Sequence, residues 1–294
     1  MELRVLRYFL TLAREESVSR AAEALYITQP TLSRQLAELE EELGTKLFER
    51  GKRRIVLTEE GMLLRRRAEE ILELSDKTER ELRNRNENLS GVVSIGAAET
   101  RAAALLPQAI ASFRNKYPGV TFEIESDTAD RVKERLERGL LDLGLLVEPG
   151  DIDKYEFLRL NIEERCGILM SASSPLAKKE SVSAEDLQGL PIVMNRRKEV
   201  RSLYRAALGE GFDRLNVIAT FNLINNAALF AEQNVGYVFT IGGTVGYFPS
   251  GRLSFRPFEP PISQSTFLIW KKHRAANRCV SKFIEEISML IKHS

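Results

Sequence analysis

Apolar residues in the first sixty positions recur at helical spacing, whereas beyond residue 90 they alternate between strand and helix patterns. Leu3, Leu6, Phe9, Leu10 and Ala13 fall on one face of a helix over about 3–14. Ala21, Ala22 and Leu25 give a second, short helix a small apolar face suited to close packing. A third helix over about 29–42 carries Leu32, Leu36, Leu39 and Leu43 at steps of four, three and four. Thr28 precedes it as a capping hydroxyl, and Pro30 is tolerated in a first turn whose amides have no intrahelical partner. A basic turn then leads into Ile55-Val56-Leu57, a β-type stretch that reads as half of a two-stranded wing.

From Thr58, another capping residue, the chain is helix-forming to about Asn88. Leu64, Ala68, Ile71, Ser75, Thr78 and Leu82 alternate at steps of four and three, a heptad seam with a weak polar centre. Such a helix either pairs with its copy in a second subunit or lies on its own domain. The character changes at Asn88-Leu89-Ser90-Gly91. Strands at Val92–Ile95, Val120–Ile124 and Leu143–Val147 then alternate with helices around 106–117 and 129–138. A second set begins near Cys166, with strands near 190–194, 216–221 and 235–239 and a small capped helix at Ser183-Ala184-Glu185-Asp186. Ser265–Trp270 and a helix over about 276–292 return to the first set. This alternation predicts a mainly parallel α/β sheet, with the chain crossing between two subdomains near 160–164 and 259–265.

The polar face of the third helix carries Gln29, Thr31, Ser33, Arg34 and Gln35, short donors and acceptors of the kind that read base edges in a major groove. Arg50, Lys52, Arg53 and Arg54 at the wing are placed to touch phosphates. The order Phe9, Ser19-Arg20-Ala21-Ala22-Glu23-Ala24-Leu25, Thr28-Gln29-Pro30-Thr31-Leu32-Ser33, Leu39-Glu40, Leu43-Gly44, Leu47-Phe48-Glu49-Arg50 and Leu57-Thr58-Glu59-Glu60-Gly61 resembles the N-terminal domain of LysR-type transcriptional regulators. The resemblance covers the whole chain. It implies an α/β protein with an all-α-rich N-terminal part: a winged helix-turn-helix at 1–58, a linker and dimerisation helix at 59–90, and a periplasmic-binding-protein-like effector domain at 91–294. The last divides into 91–162 with 265–294 and 163–264. The implied partners are double-stranded operator DNA, with Ser19, Thr28 and Pro30 completing the contact set, a small-molecule effector, and the protein itself as dimer or tetramer.

In α/β folds of this kind ligands bind beyond the carboxyl ends of strands, against helix starts. Those positions hold Thr100, Arg101, Asp127, Thr128 and Val147 in one subdomain. In the other they hold Asn195, Arg196, Arg197, Phe221, Asn222 and Thr240. Thr100 and Thr128 match positions where the family uses hydroxyl residues to hold effector. Three arginines beside helix-start amides favour a small anion or carboxylate, although Glu99 and Asp127 oppose it.

Composition changes this picture little. Net charge is +1, and acidic and basic residues in 1–90 balance to within one, so nucleic-acid binding rests on where the basic residues sit rather than on pI. The absence of a long apolar run or a signal-peptide core points to the cytoplasm. Cys166 and Cys279 are distant and read as buried apolar residues rather than a redox pair. Rival readings, an enzyme or a solute-binding protein with an accessory helical domain, find no support. There is no Gly-x-Ser-x-Gly, no P-loop and no Gly-x-Gly-x-x-Gly, and Gly242–Gly246 lacks the Lys-Ser/Thr ending. His273 and His293 are the only histidines, so neither a metal site nor a cofactor is expected.

Overall fold

A computed structural model of the chain describes residues 1–50, 54–83, 89–147, 152–248, 251–272 and 277–292, and the side chains of all of these but 50 and 80–83. It divides into two compact units, 1–83 and 84–294.

The first unit runs α1 (Leu3–Glu15), α2 (Val18–Ala24), α3 (Gln29–Leu43), β1 (Phe48–Arg50), β2 (Ile55–Leu57) and α4 (Glu59–Arg83). The two strands pair antiparallel as the wing. Phe9, Leu12, Ala21, Leu32, Leu36, Leu39 and Leu47 form its core, the buried Phe and each buried Leu contributing about 1.5–3 kcal/mol. Two expected core residues lie outside it: Leu3 is 43% exposed and Leu43 40% exposed. They occupy the first turn of α1 and the last turn of α3, beyond the reach of the opposing helices, and Val5 and Leu12 fill the interior instead.

Two members of the heptad seam are used within the chain. Ala68 is fully buried against Leu6 and Leu72, with Leu64 and Leu10 packed beside them. The seam thus begins as an α1–α4 contact. Among the described residues, Met62, Leu63, Ile71 and Leu74 are the large apolar side chains that α4 leaves exposed. The start of α4 is pinned at Gly61, where a Cβ would come within 1.9 Å of the Leu47 carbonyl oxygen. Thr58 caps this turn as expected, accepting from the Gly61 amide at 3.0 Å.

The second unit holds β3 (Gly91–Ala97), α5 (Leu105–Lys116), β4 (Val120–Ser126), α6 (Ala129–Glu137), β5 (Leu143–Val147), β6 (Tyr155–Ser171), β7 (Pro191–Asn195), α7 (Lys198–Leu208), α8 (Glu210–Asp213), β8 (Asn216–Phe221), α9 (Ile224–Glu232), β9 (Tyr237–Ile241), β10 (Leu253–Pro257), β11 (Ser263–Lys271) and α10 (Arg278–Lys292). Strand order is β4-β3-β5-β11-β6-β9-β7-β8, with β10 on the far side of β6.

The expectation of a mainly parallel sheet needs correction. β3 is parallel to β4 and β5, and β7 to β8 and β9, but β6, β10 and β11 run antiparallel to every partner. These are the strands that return or cross, so no βαβ crossover sets their direction. β6 is one continuous ribbon: Tyr155–Arg165 pairs with β11, while Cys166–Leu169 pairs with β9. Each half has its own aromatic core. Phe113, Phe122 and Phe283 cluster in one, and Tyr204, Phe239 and Phe258 in the other.

Candidate functional site

In the first unit, α3 buries Leu32, Leu36 and Leu39 and so must turn its other face outward. Gln29, Pro30, Thr31 and Arg34 are exposed there, while Ser33 and Gln35 are half-buried at its edges. Ser19, at the start of α2, lies 3.1 Å from the Gln29 amide oxygen, so the starts of both helices share one polar patch. Thr28 does not cap α3 through its side chain; its hydroxyl lies 2.8 Å from that of Thr31. Two hydroxyls that satisfy each other have less call on the first-turn amides. The acidic far end is partly structural. Glu40 is buried and accepts from the Leu47 amide at 2.8 Å and from Lys46 at 2.6 Å, which anchors the chain entering β1.

Of the wing cations, Arg54 is exposed and pairs with Glu16 at 3.1 Å. Lys52, Arg53 and the Arg50 side chain fall outside the described residues, as does the Leu82 side chain of the heptad seam. Arg34 sits 3.7 Å from Glu38, an exposed pair worth little in free energy and readily exchanged for a base or phosphate. Arg34→Ala is expected to lower specific more than non-specific DNA affinity, by roughly 1–3 kcal/mol if the contact is bidentate. Arg54→Ala should weaken all sequences alike and flatten the salt dependence, as gel shifts at several ionic strengths would read.

In the second unit a cleft with about 130 Å³ of open space lies at the strand ends of the two sheet halves. Thr100, Asp127, Thr128 and Val147 line it from one half, and Asn195, Arg197, Phe221, Asn222 and Thr240 from the other. Two expected residues are not among its walls. Arg101 is exposed and engaged through its backbone amide, which donates to Glu164. Arg196 is exposed, and its amide donates to the Phe221 carbonyl at 2.8 Å. Arg196 follows the end of β7 by one residue, and strand alternation turns it away from its inward neighbour, whereas Arg101 opens the short 3₁₀ turn beyond β3.

Among the described residues the one guanidinium in the lining is occupied. Arg197 binds Asp130 bidentately at 3.0 and 3.1 Å, which ties α6 in one half to the approach of α7 in the other. Asn225 donates across the same cleft to Glu99 at 2.7 Å. Two buried polar atoms in the walls lack a partner, the Thr100 hydroxyl and the Gln264 side-chain nitrogen. Sequence reasoning missed Gln264, Thr244 and Tyr204. Gln264 lies on β11, which reads as a plain return strand, and Tyr204 is buried in α7 behind the cleft.

Glu164 joins the halves behind the cleft. It is 1% exposed, sits just before β6 passes from β11 to β9, and accepts the amides of Arg101 and Gly243, the latter at 2.9 Å. These amides begin short 3₁₀ turns, one in each half. Burial pushes the Glu164 carboxyl up from the usual glutamate range, and the amides offset only part of that rise. Gly243 allows the approach, because a Cβ there would lie 2.4 Å from the Arg101 amide and from the carboxylate. Cys166 and Cys279 are buried and reduced, and burial pushes the Cys166 thiol up to about 12. Among the described residues no cluster of His, Cys, Asp and Glu could hold a metal, and no helix is long and apolar enough to cross a membrane.

Comparison with known proteins gives this geometry a context. The family described as "Bacterial regulatory helix-turn-helix protein, lysR family" matches residues 3–62, and "LysR substrate binding domain" matches 86–290. The chain is 33% identical over 217 residues to the HTH-type transcriptional regulator YybE of Bacillus subtilis, covering 74% of this chain and 73% of that one. Among solved structures it is similar to CbnR, a LysR family transcriptional regulator, with TM-score 0.78, 20% identity and coverage of 98% and 99%. The structure of full-length CbnR complexed with its target DNA is similar at TM-score 0.77, again with 20% identity and coverage of 98% and 99%.

Proposed function

The chain belongs to the LysR family of bacterial transcriptional regulators, not enzymes, and we propose from that premise that it reads operator DNA through α3 and is switched by a small molecule held between the two halves of its second unit. The proposed organisation is a winged helix-turn-helix over 1–58, a linker helix over 59–90 and an effector domain over 91–294. In the last, 91–162 with 265–294 faces 163–264. We place this regulator of bacterial DNA in the cytoplasm.

The observation that carries the effector reading is the pair of buried, unpartnered polar atoms in the cleft, on Thr100 and Gln264. A buried hydroxyl or amide without a partner costs about 1–3 kcal/mol, so a ligand that supplies the partner recovers that cost as affinity. Thr100→Val keeps the shape and removes the hydroxyl. It is expected to leave operator binding intact while the effector requirement rises about tenfold to a hundredfold. A gel shift titrated with effector reads this, and an unchanged titration would move the effector elsewhere. The anion expected from three arginines would have to take Arg197 from Asp130.

For assembly, we propose that the exposed apolar side of α4 around Ile71, flanked by Leu63 and Leu74, pairs with its copy. Leu64, Ala68 and Ser75 flank it from the inner side. This would set two recognition helices about one helical turn of DNA, or a multiple of it, apart, and family resemblance extends the dimer to a tetramer. Ile71→Asp should lose dimer and operator binding together in sedimentation and gel-shift measurements; a fully dimeric variant would place the interface elsewhere.

A further inference from the structure

We propose that the effector is uncharged: a small molecule that offers a carbonyl or hydroxyl oxygen to Gln264 and Thr100 rather than a carboxylate to an arginine. The proposal rests on the cleft being the effector site and concerns what that site accepts. Three charged side chains line the cleft among the described residues, Glu99, Asp127 and Arg197. All three are engaged. Arg197 holds Asp130 through two hydrogen bonds of 3.0 and 3.1 Å. Glu99 accepts from Asn225 at 2.7 Å. Asp127 accepts from the Thr128 amide at 2.7 Å and lies 4.0 Å from Arg131.

What remains open is neutral. Thr100 is 2% exposed and its hydroxyl has no partner; Gln264 is 5% exposed and its side-chain nitrogen has none. That nitrogen can only donate, so it selects an oxygen acceptor, while the hydroxyl can donate or accept. Thr240 and Thr244 satisfy each other at 3.2 Å and leave the ligand no stronger claim. The remaining wall is largely apolar, with Val147, Phe221, Phe239, Ile241 and Ile224 among its members. An anion entering here would shed its water and face two carboxylates, and it would gain a guanidinium only by stripping Asp130 of its partner. A neutral ligand sheds its water at a much smaller cost and meets neither of the others.

Isosteric amide and carboxylate pairs vary the charge while size and the carbonyl acceptor are kept: propionamide with propionate, lactamide with lactate, and benzamide with benzoate. Each is added to the full-length protein and the melting temperature is followed, for the wild type and for Thr100→Val and Gln264→Leu. At least one amide is expected to raise the wild-type melting temperature more than its carboxylate, and both variants should abolish that rise. Without ligand, both variants should melt at or above the wild type, because each removes an unpartnered buried polar atom. Carboxylates that stabilise more than their amides, with the effect lost in Thr100→Val, would overturn the uncharged class and leave the cleft as the effector site. Shifts that survive both substitutions would overturn the cleft reading itself. No differential shift for any pair also overturns the proposal.

Discussion

Replacing Glu164 by alanine is expected to be among the most damaging single changes to the second unit. The carboxylate alone satisfies the Arg101 and Gly243 amides, and its removal leaves both without that acceptor in a region the chain keeps dry. Each unsatisfied buried donor costs about 1–3 kcal/mol. The loss should appear as a lower melting temperature of the 84–294 unit and a blunted effector response, since the same contacts set how one half sits on the other. Glu164→Gln separates charge from contact. A carboxyl whose pKa is raised on folding binds its proton more tightly in the folded chain. The stability it contributes is therefore full below the ordinary glutamate range and is lost as pH rises through the folded pKa. The glutamine variant should lack that slope. An alanine variant that melts with the wild type at every pH would remove Glu164 from this role.

Phe9→Ala should be comparably severe for the first unit. Phe9 is fully buried at the centre of the cluster formed by Leu12, Ala21, Leu32, Leu36 and Leu39. Deleting a buried phenyl ring costs about 3–5 kcal/mol, a large part of the 5–15 kcal/mol that holds a whole domain folded. Because α3 packs on that core through Leu32, Leu36 and Leu39, operator binding should fall with stability. The 84–294 unit should keep its own transition, so calorimetry should show one peak shifted and one unchanged. A variant that binds operator with wild-type affinity at 25 °C would mean that α3 is held by other contacts.

Much of this architecture was legible in the residues because each helix and strand obeys a simple period. Leu32, Leu36 and Leu39 announce α3, and β3, β4 and β5 appear as short apolar runs between helical stretches. The first half of β6 escaped because its inward residues, Leu158, Leu160, Ile162 and Glu164, are interleaved with charged and polar positions, and its buried Glu164 reads as a surface residue. Strand direction is not encoded in periodicity at all, which is why the antiparallel β6, β10 and β11 were not foreseen. In the cleft, strand-end positions located Thr100, Thr128, Asn195 and Thr240. Arg101 and Arg196 lie outside its walls: Arg196 comes one residue past β7, where alternation reverses a side chain, and Arg101 opens a 3₁₀ turn that the strand pattern does not announce. Gln264 could have been suspected as a polar residue inside an otherwise apolar return strand.

The two cysteines have a use that follows from where they are buried. Cys166 belongs to the core around Tyr204 and Phe239, and Cys279 to the core around Phe113 and Phe283. Only the thiolate reacts with an alkylating reagent, and a thiol held near 12 presents almost none of it at neutral pH while the core is closed. Each cysteine therefore waits on the opening of its own half, and its modification rate counts how often that half opens. The native chain thus carries two internal clocks, one per half, readable by mass spectrometry of the alkylated protein without introducing any new cysteine. Bound effector that joins the halves would slow both together.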